Sequence, residues 1–251
     1  MAQALSRGQI MGLIDHTLLR PYATLSQVES LVQEAAEFGC YSVCVNLVHV
    51  PLVRTLITRM GYRQKVCSVI DFPFGASTTD LRVEAVRRAA AWGADEVDVV
   101  APITLVKSGL LEAVERDVRK VVSAAHQEGL VIKVIVEDAY TTRAEKESLY
   151  RIVMESGADF IKTGTGFEEQ AYASSIGNQT GARVENVRLM AELSRRYNPQ
   201  IGIKPAGGIR TVSQILELLE ASERPPDPRR FRVGTSSARR IWEELTQGQR
   251  M

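Results

Sequence analysis

A parallel (β/α)8 barrel of the TIM type, one α/β domain over residues 1–251, is the fold this sequence predicts. Three observations predict it. Short apolar, β-branched runs alternate with amphipathic helical patterns from end to end, and such alternation calls for a parallel sheet with crossover helices. Eight strand candidates fall within 251 residues with no linker or low-complexity segment between them, which matches the strand count and size of the barrel. Several helix-to-strand joints carry a glycine, as at Gly39, Gly93, Gly129 and Gly157, where a left-handed cap ends a helix before the next strand. A doubly wound open sheet has the same alternation and is the competing architecture.

In order, the strand candidates are residues 13–16, 42–46, 66–71, 96–100, 131–137, 159–162, 201–204 and 231–234. Each is short and largely apolar, as a strand covered on both faces must be. Between them lie stretches such as 25–38, 79–92, 110–128, 142–156, 183–197 and 212–219, where apolar residues recur at three- and four-residue steps and line one face of a helix. The one irregular segment is 222–230, whose Pro225, Pro226 and Pro228 mark a loop before the last strand.

Composition narrows the partners. The chain is 45% hydrophobic and 24% charged with a formal net charge of +1, which gives neither nucleic acid nor a membrane surface a reason to bind. No apolar run approaches the ~20 residues that span a bilayer. Residues 1–7 lack an apolar signal core, so a cytoplasmic protein is expected. The three cysteines (Cys40, Cys44, Cys67) and three scattered histidines (His16, His49, His126) suggest neither a disulfide framework nor a zinc site. Barrels of this size are often dimers, and a homo-oligomer is expected without any interface residue being identifiable.

In a barrel the reacting groups lie at the C-terminal ends of strands, and the most telling strand end is Lys162. It follows Asp159-Phe160-Ile161 and precedes Thr163-Gly164-Thr165-Gly166, so a lysine stands where a buried strand meets a Gly/Thr loop. An unpaired ammonium is costly to desolvate, so a buried lysine is either paired or used, and the same cost makes an amine nucleophilic. Ile201-Gly202-Ile203-Lys204 repeats the arrangement ahead of Pro205-Ala206-Gly207-Gly208. Two lysines brought close would each depress the other's pKa, a recognised route to a Schiff-base amine.

Strand four sends Glu96, Asp98 and Val100 to one side and Val97 and Val99 to the other. The outer face meets helices and must be apolar, so Asp98 should point into the barrel, either to hold a water or an ammonium and pass protons or to form a buried salt bridge. Lys133 on strand five reads as a third barrel ammonium, paired with Glu137 or Asp98. Asp15, His16 and Thr17 place an acid, an imidazole and a hydroxyl beside the mouth, where each can orient substrate hydroxyls, although His16 reads first as a structural group. Cys44 reads as a small core residue.

Barrels also carry a phosphate site after strands seven and eight. Here those strands run into Gly207-Gly208-Ile209-Arg210 and Gly234-Thr235-Ser236-Ser237, each ahead of a helix. Glycines allow close backbone approach, helix N-termini aim N–H groups at an anion, and the serines and Arg210 add donors. Either cluster alone reads equally as a turn with an N-cap, but the two together favour phosphate.

Read together, these stretches resemble the deoxyribose-phosphate aldolase family, class I aldolases on a (β/α)8 barrel. The resemblance is carried by Ile14-Asp15-His16-Thr17-Leu18-Leu19, Val43-Cys44-Val45-Asn46, Phe72-Pro73-Phe74-Gly75, Gly93-Ala94-Asp95-Glu96-Val97-Asp98, the run from Val131 to Glu137, Asp159-Phe160-Ile161-Lys162-Thr163 with Thr165-Gly166-Phe167, Val187-Arg188-Leu189-Met190, Lys204 with Gly207-Gly208-Ile209-Arg210, and Gly234-Thr235-Ser236-Ser237, in the family's order over nearly the whole chain. It implies Lys162 as the Schiff-base lysine, Lys204 as the lysine that lowers its pKa, and Asp98 as the acid of a proton relay with Lys204. Gly166, Gly207, Gly208, Gly234, Ser236 and Ser237 are implied to hold the phosphate, and Asp15, Thr17, Thr165 and Arg210 complete the expected substrate set. The implied reaction is the reversible cleavage of 2-deoxyribose 5-phosphate to acetaldehyde and glyceraldehyde 3-phosphate. An iminium on Lys162 is its electron sink, so neither metal nor cofactor is expected.

Four departures from the family's pattern bear on substrate. Gly164 stands where serine is common, Pro205-Ala206 where Ala-Ser is usual, Ala101-Pro102 where Asn-Ile is common, and Asp71 where glycine is usual; the tail 247–251 also lacks a tyrosine present in some members. Lost hydroxyls and a new carboxylate near the mouth make an aldolase of the same superfamily, acting on another phosphorylated sugar or keto acid, the close alternative. A phosphate-binding or regulatory protein on a decayed scaffold is the reading from a different class, and a binding module has no need to keep Asp98, Lys162 and Lys204 together.

Overall fold

The computed structural model describes residues 5–247, and the tail 248–251 lies outside that range. Eight parallel strands run β1 (Ile14–Leu18), β2 (Ser42–Asn46), β3 (Lys65–Ile70), β4 (Glu96–Val100), β5 (Val131–Ile135), β6 (Phe160–Lys162), β7 (Gly202–Lys204) and β8 (Val233–Thr235). They pair in sequence order from β1 to β7, and β8 pairs with β1 through Ile14–Val233 and Asp15–Gly234. Bridges between Ile203 and Phe231 and between Ala206 and Gly234 join the last two strands. The sheet therefore closes, which decides against the open doubly wound alternative.

The helices among the described residues are α1 (Arg7–Met11), α2 (Leu25–Phe38), α3 (Val50–Met60), α4 (Thr79–Ala91), α5 (Ile103–Lys107), α6 (Leu111–Gln127), α7 (Arg143–Glu155), α8 (Gln170–Ser175), α9 (Val184–Tyr197), α10 (Val212–Ser222) and α11 (Ala238–Gln247). None is long and apolar enough to cross a membrane. The six helix stretches expected from periodicity are α2, α4, α6, α7, α9 and α10. Capping boxes start α2 at Thr24, α7 at Thr142 and α10 at Thr211, each threonine cap answered by a Gln or Glu three residues on. Two strands stop sooner than expected because the backbone turns left-handed: β3 ends before Asp71 (φ 51°) and β5 before Glu137 (φ 48°).

The hydrophobic core lies between the strands and the helices. Val43, Val66, Val97, Val99, Ile132, Val134, Ile161 and Ile203 face outward and pack, fully buried, with residues such as Val28, Val86, Val118, Leu149 and Met190 of the helices. Strand alternation then leaves the barrel interior to Asp15, Glu96, Asp98, Lys133, Lys162, Lys204 and Arg232, all buried, beside a small apolar patch of Leu19, Cys44, Cys67 and Val69. A Cβ at Gly202 would stand 2.3 Å from the Phe160 ring, so glycine there makes room for that side chain on the neighbouring strand.

Arg232 holds this interior together at its lower end. Its guanidinium binds Asp15 Oδ1 and, at 2.6 Å, Glu96 Oε1, and its Cζ lies 3.6 Å from the centre of the Tyr41 ring. Arg232→Met should leave two buried carboxylates short of a cation and cost about 3–5 kcal/mol. Urea denaturation reads this directly, and a loss under about 1 kcal/mol would place the charge of Arg232 outside the stability of the barrel.

Candidate active site

Register brings the interior charges together before any side chain is considered. Asp98 lies opposite Lys133, and Lys162 opposite Lys204, on adjacent strands. Their side chains close a circuit of alternating sign. Asp15 Oδ2 lies 2.6 Å from Lys204 Nζ, a charge contact rather than an aligned hydrogen bond. Lys204 Nζ donates to Asp98 Oδ2 at 2.7 Å, and Asp98 Oδ1 accepts from Lys133 Nζ at 3.0 Å. Lys133 Nζ donates to Glu96 Oε2 at 2.6 Å, and Arg232 completes the path from Glu96 back to Asp15. Lys133 is thus paired with Glu96 and Asp98, and the expected alternative partner Glu137 belongs to a different cluster. Three carboxylates face three cations in the circuit, so it is neutral.

Lys162 hangs from this circuit as the extra cation, its Nζ donating to Asp98 Oδ2 at 2.8 Å. It has no other carboxylate partner among the described residues, and it shares this one with Lys204 and Lys133. Asp98 keeps two other cations beside it without Lys162. The Phe72 ring lies 6.0 Å from Nζ and stands edge-on to Phe167, so the amine meets an apolar wall on its open side.

The burial of Lys204 alone would disfavour its ammonium, but Asp15 and Asp98 outweigh that and hold its pKa above the ordinary lysine value. The expectation that the two lysines depress each other therefore fails for Lys204, because two carboxylates lie closer to it than sequence spacing could show. Burial likewise opposes the charge of Asp98, yet Lys133, Lys162 and Lys204 keep its carboxyl well below the usual range. Cys67 Sγ donates to Asp98 Oδ1 at 3.2 Å. Cys44, Cys67 and Asp98 are close enough to share a cation, but Asp98 is already surrounded by ammonium groups.

Above the circuit opens a cavity of about 450 Å³ lined by Thr17, Lys162, Thr165, Gly166, Gly207, Gly208, Arg210, Gly234, Ser236 and Ser237, with Arg20, Tyr22, Phe167, Ala206 and Ile209. Of the seven charged interior groups, Lys162 alone reaches it. Asp15, expected with the substrate-binding residues, lies below the cavity instead. It is fully buried and bound to Ser42, Arg232 and Lys204, because its inward-facing position falls one layer beneath the mouth. The N–H groups of Gly207, Gly208, Ile209 and Ser236 donate to no protein acceptor among the described residues. Thr235 Oγ1 donates to Ile209 O at 2.6 Å and accepts from Ser237 N at 2.9 Å, tying the two loops into one concave surface. α11 starts immediately after that surface, and its N-terminus adds to the pull on an anion.

Sequence reasoning missed Arg20, Arg232 and Glu96 as parts of this assembly. Glu96 was legible as an inward-facing residue of β4, whereas nothing local marks Arg232, which acts through residues far from it in the chain. Asp71 corrects a different expectation: it pairs with Arg82 at 2.8 Å and accepts from Ser77 N and Oγ, so it braces the loop after β3 and does not line the cavity. Its left-handed φ accounts for glycine being suited to that position.

Two acids near the mouth titrate unusually. Burial, then the charge of Glu168, pushes the Glu137 carboxyl up to about 8; burial also lifts Asp138 to about 7, against its hydrogen bond from Tyr150 and the charge of Lys146. Both lie above the ~4 of an unfolded chain, so the folded protein binds these protons more tightly, and their contribution to stability is lost as pH rises through about 7 to 8. The melting temperature should fall between about pH 5 and pH 8 and level off above, and Glu137→Gln should flatten that fall. A rise across the window in the parent protein would contradict the assignment.

Known proteins place this chain in context. The model of the DeoC/LacD family aldolases matches residues 9–244. The deoxyribose-phosphate aldolase of Thermoplasma volcanium is 41% identical over 236 residues, covering 94% of each chain. That of Pyrobaculum neutrophilum is 45% identical over 228 residues, 91% of this chain and 96% of the relative. Among solved structures, the tetrameric deoxyribose phosphate aldolase of Aeropyrum pernix superposes with a TM-score of 0.81 at 29% identity, covering 96% of this chain and 92% of that one. With relatives this similar over nearly all of its length, and a family model matched from the first strand to the last helix, the chain belongs to the DeoC/LacD family of aldolases.

Proposed function

We propose that the whole chain, residues 1–251, acts as one class I aldolase domain that reversibly cleaves 2-deoxyribose 5-phosphate to acetaldehyde and glyceraldehyde 3-phosphate. The observation that carries this reading is that Lys162 is the one charged interior group opening onto a cavity whose far wall offers unpaired N–H groups. The relatives named for that reaction support the substrate. In the open-chain sugar the Lys162 amine adds to the C1 aldehyde and loses water to give an iminium. A base takes the C3 hydroxyl proton, the C2–C3 bond breaks, and its electron pair passes into the iminium to leave an enamine. Glyceraldehyde 3-phosphate departs, the enamine is protonated at C2, and hydrolysis releases acetaldehyde and the free amine. Asp98 accepts from both lysines, which supports its role as the group that carries these protons together with a solvent water. Gly166, Gly207, Gly208, Gly234, Ser236, Ser237 and Arg210 hold the phosphate, while Thr17 and Thr165 face the sugar.

The deciding experiment is a cleavage assay with 2-deoxyribose 5-phosphate beside ribose 5-phosphate and unphosphorylated 2-deoxyribose. Turnover confined to the deoxy sugar phosphate is expected. Absence of turnover, with acetaldehyde still trapped on Lys162 by borohydride, would move the substrate to another phosphorylated sugar or keto acid, a reading favoured by the apolar Ala206 in the cavity wall. A cytoplasmic homo-oligomer is the expected form, and light scattering distinguishes the dimer expected from barrel size from the tetramer described for the Aeropyrum pernix enzyme.

A further inference from the structure

The loop after β6 carries a carboxylate where the proposed phosphate site offers N–H groups. Glu168 Oε1 accepts from Gly166 N at 3.1 Å, and the same oxygen lies 3.5 Å from where a Cβ on Gly207 would stand, between the glycines of two cavity-lining loops. Glu168 has no ion-pair partner among the described residues; Gly166 N donates to it, and the neighbouring Glu137 carboxyl, pushed up to about 8, shares a hydrogen bond with it. Beside it, Glu137 Oε1 accepts from Thr165 N at 3.1 Å. Both oxygens converge on Gly164, where a Cβ would stand 2.5 Å from Glu168 Oε1 and 3.0 Å from Glu137 Oε1. A side chain at 164 and the Glu168 carboxylate therefore exclude one another. This gives the glycine at that position, where the family commonly has serine, a physical cause.

We infer that Glu168 is a specificity-determining residue: its carboxylate occupies the Gly166 N–H as a built-in anion that a substrate phosphate must displace, and its charge sets how tightly that phosphate is held. The inference rests on the reading that Gly166 and Gly207 belong to the phosphate site. A phosphate and this carboxylate seek the same donor and repel one another at short range. A carboxylate that only braced the loop would have the opposite effect on removal, since a loosened site binds phosphate less well. The sign of the change thus separates the two roles.

The test is a calorimetric titration of inorganic phosphate into the parent protein, Glu168→Gln, Glu168→Ala and Gly164→Ala. Glutamine keeps an acceptor oxygen for Gly166 but no charge, and the methyl group added by Gly164→Ala evicts the flexible Glu168 side chain. Each variant should bind phosphate about three- to tenfold more tightly, the size expected for one charge acting through partly solvated protein. KM for 2-deoxyribose 5-phosphate should fall in step, while KM for unphosphorylated 2-deoxyribose does not. Unchanged or weaker phosphate binding in Glu168→Gln and Glu168→Ala overturns the inference, as does phosphate binding to none of the four proteins. Tightened phosphate binding without turnover of the sugar phosphate in the parent would instead sink the substrate assignment and leave this inference standing.

Discussion

Replacing Lys162 with leucine is expected to reduce cleavage at least ~10⁴-fold and to abolish borohydride trapping of acetaldehyde, since no other step in the reaction can supply the iminium. The fold should survive. The remaining interior groups are Asp15, Glu96 and Asp98 against Lys133, Lys204 and Arg232, which form the neutral circuit without any contribution from Lys162. Leucine also suits a site with the Phe72 ring on one side. The melting temperature should therefore stay close to the parent's while the adduct on residue 162 disappears. Mass spectrometry after reduction with acetaldehyde settles the point. Full residual cleavage in the variant, or an adduct that persists on Lys204 or Lys133, would defeat the assignment of Lys162.

This contrast between one expendable charge and six interlocked ones was only partly legible in the sequence. β2 and β4 were readable to the residue, because period-two alternation and glycine-capped helix ends fix a strand on both sides. β6 and β7 contain only three residues each, yet they stood out because each ends in a lysine, a residue that a buried strand does not carry idly. Among the helices that escaped notice, α1, α5 and α8 have only five or six residues, too few to show a 3.6-residue period, even though α1 begins at a full capping box on Ser6. Asp98 could be aimed inward by alternation, and the same argument reaches Glu96. What local pattern cannot supply is Arg232 bridging Asp15 and Glu96, contacts across 217 and 136 residues of chain. Nor could it show that Asp71 turns toward Arg82 while Glu168 turns toward Gly166, since both orientations depend on neighbours the fold alone brings near.

Lys204→Leu should also cripple turnover at neutral pH, by ~10²- to 10⁴-fold, but for a reason opposite to the loss of a nucleophile. With Lys204 present, the interior holds four cations for three carboxylates, and Lys162 can lose its proton while the circuit stays matched. Without it, three carboxylates face Lys133, Lys162 and Arg232. Every remaining cation is then needed, and a neutral amine at Lys162 would leave a net buried negative charge. Borohydride trapping should consequently slow at neutral pH and recover in part as the assay is made alkaline, a rescue that Lys162→Leu cannot show. The variant should also lose about 3 kcal/mol of stability, because Asp15 Oδ2 has no other cation beside it. The sign of the pH effect follows. Asp15 and Asp98 are held below the usual carboxylate range when folded, so their contribution is full at neutral pH and is lost as pH falls. Weakening that hold should move the acid limb of unfolding to higher pH. Lys204→Arg, which restores a permanent cation, should return most of the stability and part of the rate. A neutral-pH rate for Lys204→Leu equal to the parent's would mean that charge balance does not govern the reactivity of Lys162.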